Sequence, residues 1–183
     1  MVKKEVWEWI KSIVLAVVIS LVITSFITPL EVYSISMNPT LVEHDYLILQ
    51  NTHKIEKGDI VSFETDIPME PDELGQLNWI QRLKDVKTKN LIKRVIAVEG
   101  DELLIENGRV YVNGVEQQEE YINEDYTPGD IHIDNVPAGK IFVMGDNRSH
   151  SLDSRNLGLV DVEKVQGKVL VRVLPVSKIG KVE

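Results

Sequence analysis

Leu103–Gly114 reads LLIENGRVYVNG, and this stretch decides what kind of domain the chain builds. Asn107-Gly108 stands between two short apolar runs. Both residues tolerate positive φ, so the pair favours a type I′ turn and the runs become the arms of a β-hairpin. The same rhythm of β-branched runs and turn signals continues outward in both directions. Tyr46–Gln50, Asp59–Phe63, Leu91–Val98, Lys140–Met144 and Lys168–Val173 read as further strands, and Pro128-Gly129 and Pro137-Ala138-Gly139 read as turns. From Val32 onward the expectation is a mainly β, antiparallel domain with barrel-like or folded-sheet character.

Met69–Asn90 breaks the rhythm. It is polar, and Leu74, Leu77, Ile80 and Leu83 recur every three positions after Pro71. That spacing predicts a short amphipathic helix begun by the proline, carried on an insertion over 69–90.

The N-terminal end is of another kind. Ser12–Leu30 reads SIVLAVVISLVITSFITPL and carries no charge. At about 1.5 Å per residue, such a run spans the roughly 30 Å of a bilayer's hydrocarbon core. Trp7 and Trp9 precede it at headgroup level, Lys11 can snorkel to the same interface, and Pro29 is expected to close the helix. A cleaved signal peptide has a shorter apolar stretch and a small-residue cut site. A buried core helix is the other alternative, and it is uncommon at the start of a small domain. The reading adopted is a cytosolic N-terminus over 1–11, a single-pass transmembrane anchor over 12–30, and an extracytoplasmic β-rich domain over 31–183. The orientation follows from the lysines ahead of the span.

Composition narrows the function. The 183 residues carry a net charge of -9 and 43% hydrophobic residues, enough for a core. The acidic excess lies beyond the first eleven residues, and an acidic body does not suit nucleic-acid binding. There is no cysteine, which removes disulfides, thiolate nucleophiles and zinc–thiolate sites. His44, His53, His132 and His150 show no metal-ligand spacing, so neither a metal nor a cofactor is expected.

Four islands carry candidate chemistry: Ser34-Ile35-Ser36-Met37-Asn38-Pro39-Thr40; Gly58-Asp59-Ile60-Val61; Lys93-Arg94-Val95-Ile96 with Gly100-Asp101; and Gly145-Asp146-Asn147-Arg148-Ser149-His150-Ser151-Leu152-Asp153-Ser154-Arg155. Singly, each has a plain structural reading as a turn, an edge lysine or an Asp–Arg network. In this order, together with the apolar segment, they resemble the bacterial type I signal peptidases, membrane-anchored serine proteases with a Ser/Lys dyad. The resemblance runs from the apolar segment to Arg155 and the β-rich tail. It implies Ser36 as nucleophile, Lys93 as general base, Ser34 as an oxyanion-hole hydroxyl and Ser151 as the group that orients the lysine. It implies supporting roles for Asp153, Arg155, Asp146 and Arg148. Ile35 stands where family members often carry glycine.

The chemistry is coherent with the residues. A serine hydroxyl needs a base nearby, and a lysine serves only when burial lowers its pKa from about 10.4 by as much as about 3–5 units. Leu91, Ile92, Val95 and Ile96 offer that setting, whereas a guanidinium such as Arg94 stays protonated. The implied partners are secretory preproteins, whose signal peptides end in a small-x-small pattern, and the lipid bilayer. The extended peptide is expected beside Val32–Ile35 and Asn90–Lys93. Two other classes compete. Self-cleaving repressor-type proteases also use Ser/Lys but join the domain to a DNA-binding module. A membrane-tethered β module that only binds would not need Ser36, Lys93 and Ser151 together.

Overall fold

The computed structural model describes residues 2–76 and 86–182. An α-helix, α1, runs from Val2 to Phe26, and Glu5–Phe26 is long and apolar enough to cross a membrane, with none of that stretch buried in the protein. Lys11 Nζ turns back to Glu8 at 3.0 Å and lies 5.8 Å from the centre of the Trp7 ring.

The helix stops earlier than expected. Ile27–Leu30, assigned above to the end of the 12–30 span, lie in a strand, β1 (Ile27–Glu31), paired antiparallel with β2 (Tyr46–Gln50). The residues 1–11 assigned to a separate segment continue into the same helix from Val2. The physical reason is that Pro29 lacks an N–H and suits an edge strand as well as a helix terminus. β1 is such an edge. Asn51 takes over the helix end, its N–H donating to Phe26 O at 2.9 Å and its side-chain amide to Ser25 O at 3.2 Å.

The expected mainly β, antiparallel architecture is built as two sheets. The further strands are β3 (Ile60–Pro68), β4 (Thr88–Ala97), β5 (Leu103–Glu106), β6 (Arg109–Val112), β7 (Val115–Glu116), β8 (Ile131–Ile133), β9 (Lys140–Met144), β10 (Val160–Asp161) and β11 (Val165–Leu174). The larger sheet has the order β1-β2-β11-β3-β4-β9-β10 and the smaller β7-β6-β5-β8. At the β5–β6 turn Asn107 and Gly108 have φ of 51° and 79°, as the hairpin reading requires. Asn113-Gly114, with φ of 54° and 74°, makes a second turn of the same kind before β7 that was not foreseen.

Of the 69–90 insertion, Pro71–Gln76 form the expected short helix, α2. Leu77, Ile80 and Leu83 lie outside the described residues. Thr88–Asn90, assigned to the insertion, belong to β4, because β3 runs on to Pro68 and Pro68 pairs with Thr88.

β4 and β9 are covered on both faces, which explains their unbroken apolar runs. Val95, Ile141 and Val143 face one cluster with Val61, Phe63 and Val165, whereas Ile96, Phe142 and Met144 face another with Leu103, Ile105 and Val112 of the small sheet. A third cluster joins Val32, Met37, Leu41, Leu47 and Ile60. It fixes the segment that carries Ser36.

Candidate active site

Ser36 sits in a single 3-10 turn, Ile35–Met37. Met37 drives inward, only 1% exposed, while Ile35 on the other side of the serine is 46% exposed. Ser34 caps the turn, its Oγ accepting the Ser36 N–H at 3.2 Å. From β4, Lys93 reaches this turn. Its Nζ lies 2.7 Å from Ser36 Oγ and donates to Ile92 O at 2.9 Å. The lysine is 2% exposed.

Burial pushes the Lys93 amine down to about 8, against the pull of the Asp153 and Asp146 carboxylates and with help from Arg155. Those carboxylates cannot claim the lysine, because each is held by a guanidinium. Asp146 accepts Arg94 Nε at 2.9 Å and Nη2 at 2.8 Å, and Asp153 accepts Arg155 Nε and Nη2 at 2.9 Å. Burial works to raise the Asp153 carboxyl, and the Arg155 guanidinium and Gly145 N–H outweigh it, holding Asp153 below the usual carboxylate range. Among the described residues Lys93 makes no ion pair. A buried amine without a counter-ion is the state a lysine base requires.

The fourth island wraps this pair. Asn147 donates its backbone N–H to Ser36 O at 3.0 Å and its side-chain amide to Ile35 O at 3.1 Å. Gly145 donates to Asp153 Oδ2 at 2.9 Å. Thr40, at the end of the Ser36 segment, donates a short hydrogen bond to Asp146 Oδ2. Arg148 donates to Gly145 O at 3.0 Å, and its own carbonyl accepts from Arg155 at 2.7 Å.

The structure thus brings together Ser34, Ser36, Lys93, Asp146, Arg148, Asp153 and Arg155. Ser151 packs against Gly145; among the described residues its buried hydroxyl makes no hydrogen bond of normal length, although it lies near enough to Asp153 to help lower that carboxyl, and the lysine bonds instead to Ser36 and Ile92. The second island is structural. Gly58 O accepts from Arg94 at 3.2 Å, and Asp59 accepts the Glu56 N–H at 2.9 Å. Gly100-Asp101 is also structural, Asp101 accepting from Val98 N–H and Asn113. Sequence reasoning passed over Gly145, Asn147 and Thr40 as functional residues although they stood within the quoted islands. Glu119, paired with Arg148, and Tyr121, whose ring lies over Arg94, come from a polar run with no local signal. Among the described residues no group of His, Asp or Glu is arranged to hold a metal ion.

Residues 6–174 match the profile of the family described as signal peptidase, peptidase S26. Signal peptidase IB of Staphylococcus aureus (strain COL) is 34% identical over 198 aligned positions, covering 96% of this chain and 93% of the relative. Signal peptidase I of Bacillus licheniformis is 33% identical over 196 positions, covering 99% and 95%. A crystal structure of a signal peptidase I from Enterococcus faecalis V583 superposes with a TM-score of 0.46 and 28% identity, over 63% of this chain and 96% of that one. From the profile match and the two sequence identities, the chain belongs to the peptidase S26 family of signal peptidases.

Proposed function

We propose that Ser36 and Lys93 are the dyad with which this signal peptidase I, a serine endopeptidase, cuts secretory preproteins. The observation that carries the assignment is the 2.7 Å approach of Lys93 Nζ to Ser36 Oγ in a site that buries the amine without a carboxylate partner. That distance lies within the range for direct proton transfer.

Neutral Lys93 accepts the hydroxyl proton as Ser36 Oγ attacks the scissile carbonyl. The oxyanion is met by the Ser36 N–H and the Ser34 hydroxyl, which bond to each other here and separate to receive it. Lys93 then passes its proton to the leaving amine. In the second half-reaction it takes a proton from water as that water attacks the ester, and returns the proton to Ser36 Oγ as the acyl–oxygen bond breaks, which restores both residues. Ser151 is the group we assign to the protonated lysine. Its buried hydroxyl makes no hydrogen bond of normal length among the described residues, and an ammonium carries one proton beyond the two given to Ser36 and Ile92. Asp153 with Arg155, and Asp146 and Arg148, hold the loop in place.

The substrate backbone would run as an added strand beside Val32–Ile35 and Asn90–Lys93. In support, β9 ends at Met144 opposite Arg94 and so leaves that side of Asn90–Lys93 uncovered. α1 is compatible with a membrane anchor, and we propose it as a single span with the N-terminus cytosolic and the β domain outside. Lys3, Lys4 and Lys11 at its start support that orientation.

Cleavage of a preprotein in detergent by wild type, Ser36→Ala and Lys93→Ala tests the dyad. Both variants are expected to be inactive. Retained cleavage by Ser36→Ala would falsify the nucleophile, and retained cleavage by Lys93→Ala would require another base.

A further inference from the structure

The turn that holds Ser36, Gly145–Arg148, is itself held from outside the large sheet. After β7 the chain leaves the small sheet as a strap, 117–127, and both ends of the strap are tied to that sheet's hairpin. Gln117 N–H donates to Val110 O at 2.8 Å and Thr127 N–H to Gly108 O at 2.8 Å. The middle of the strap crosses to the active-site turn. Glu119 receives both Arg148 amino groups, Nη2 on Oε1 at 2.6 Å and Nη1 on Oε2 at 2.7 Å, and Thr127 Oγ1 takes a further short bond from Nη1. The Tyr121 hydroxyl donates to the same Glu119 Oε1 at 2.9 Å. Its ring centre lies 3.9 Å from Arg94 Cζ and 6.0 Å from Arg148 Cζ.

One aromatic ring therefore contacts both guanidiniums that brace the turn, and one carboxylate neutralises the second of them. Arg94 holds Asp146, Arg148 holds Gly145 O, and Asn147, between Asp146 and Arg148 in the chain, grips Ser36 O. A ring stacked on a desolvated guanidinium is attracted to it and also limits the rotamers open to it. Without Glu119, Arg148 would be a buried cation left to compete for Asp146, the carboxylate that Arg94 already holds.

We propose that Tyr121 and Glu119 are positioning residues for peptide cleavage: they clamp Arg94 and Arg148 so that the Asn147 turn holds Ser36 Oγ in line with Lys93 Nζ. This gives the small sheet a part in the reaction although none of its strands carries a reacting group. The inference rests on the Ser36–Lys93 reading above. It concerns the geometry of the reacting atoms and not the grip on substrate, so its signature is a fall in kcat at unchanged KM. A displacement of about 1 Å at reacting atoms can cost on the order of 100-fold.

The test uses the full chain in detergent micelles and a preprotein whose signal peptide ends Ala-x-Ala, with Tyr121→Leu, Tyr121→Phe and Glu119→Gln beside Ser36→Ala. We expect kcat to fall about tenfold or more in Tyr121→Leu and Glu119→Gln with KM changed less than about twofold. Tyr121→Phe keeps the ring over both guanidiniums and should retain about a third or more of kcat. Thermal unfolding identifies the variants that fold; Glu119→Gln keeps side-chain volume, and Tyr121→Leu removes the ring while leaving an apolar side chain in its place. Wild-type kcat in a folded Tyr121→Leu, or a loss confined to KM, overturns the inference while an inactive Ser36→Ala leaves the dyad standing. Cleavage by Ser36→Ala overturns the dyad and takes the inference with it.

Discussion

Gly145 is packed so closely against the carbonyl oxygen of Ser36 that a methyl group on its Cα would overlap that oxygen. The same methyl would overlap the Ser151 hydroxyl on the other side. The Ser151 hydroxyl can rotate, but its Cβ lies nearly as close, so neither neighbour gives way by rotation alone. One is the backbone of the nucleophile turn, and the other belongs to a loop fixed by Asp153 and Arg155. Gly145→Ala should therefore move Ser36 away from Lys93. The expected cost is about 1–3 kcal/mol of stability from overpacking, with a larger proportional loss of kcat. Urea unfolding and steady-state cleavage measured on the same preparation check this; full activity at reduced stability would mean that the turn can yield without moving Oγ.

The pH profile should carry the signature of the lysine. With the amine at about 8, the neutral base becomes scarcer below that pH and is fully available above it. Below about pH 8, kcat/KM should rise close to tenfold per pH unit and then level off, the free enzyme's essential base setting the limb. A histidine-like limb near pH 6.5 would point to another base.

Burial of the same amine opposes folding. The lysine binds its proton more weakly folded, at about 8, than at its ordinary 10.5, so the unfolded chain holds more protons between these values and stability rises with pH across that window. Below about pH 8 the full penalty applies, on the order of 3 kcal/mol. Lys93→Met keeps the volume and removes the charge. It should be inactive yet more stable than wild type near pH 7, with the advantage shrinking as the pH approaches 10. Denaturant midpoints measured at several pH values decide it, and a variant less stable at neutral pH would show that the bonds to Ser36 and Ile92 outweigh the desolvation.

How far these residues could be read in advance depends on how local their signals are. Asn107-Gly108 could be read because a turn is written in two adjacent residues. Pro29 misled because a proline after an apolar run ends a helix or begins an edge strand equally well, and only pairing with Ile48 decides between them. The approach of Lys93 to Ser36 joins residues 57 positions apart. It depends on the register of β3 against β4 and on Met37 docking in the core, so no local rule yields it and the family resemblance supplied it. Ser151, expected on the lysine, packs against Gly145 and makes no hydrogen bond to the lysine. Glu119 and Tyr121 had no local signal, because their partners Arg94 and Arg148 belong to the other sheet's motifs.

The buried pair of Asp146 and Arg94 is a harsher test of the scaffold. Asp146 is fully buried and takes two bonds from Arg94 and one from Thr40. Asp146→Asn keeps the shape but leaves Arg94 charged in the interior, a defect that typically costs about 3–5 kcal/mol. Thr40→Val, which removes one hydroxyl donor, should cost nearer 1 kcal/mol. Unfolding free energies of the two variants check the ordering, and equal costs would mean that Arg94 finds another acceptor.

Ser34 combines two tasks that substitution can separate. Its Oγ accepts the Ser36 N–H and so caps the 3-10 turn; in the proposed reaction its O–H also donates to the oxyanion. Ser34→Ala loses both, with an expected stability cost of about 1 kcal/mol and a fall in kcat of about 100-fold or more. Ser34→Asp keeps an acceptor for the N–H but has no proton to give at neutral pH, and its charge repels the developing oxyanion. It should unfold like wild type and cleave no better than Ser34→Ala. Ser34→Thr keeps the hydroxyl and should restore most of both properties. Wild-type kcat in Ser34→Asp would remove Ser34 from the oxyanion hole and leave it as a cap alone.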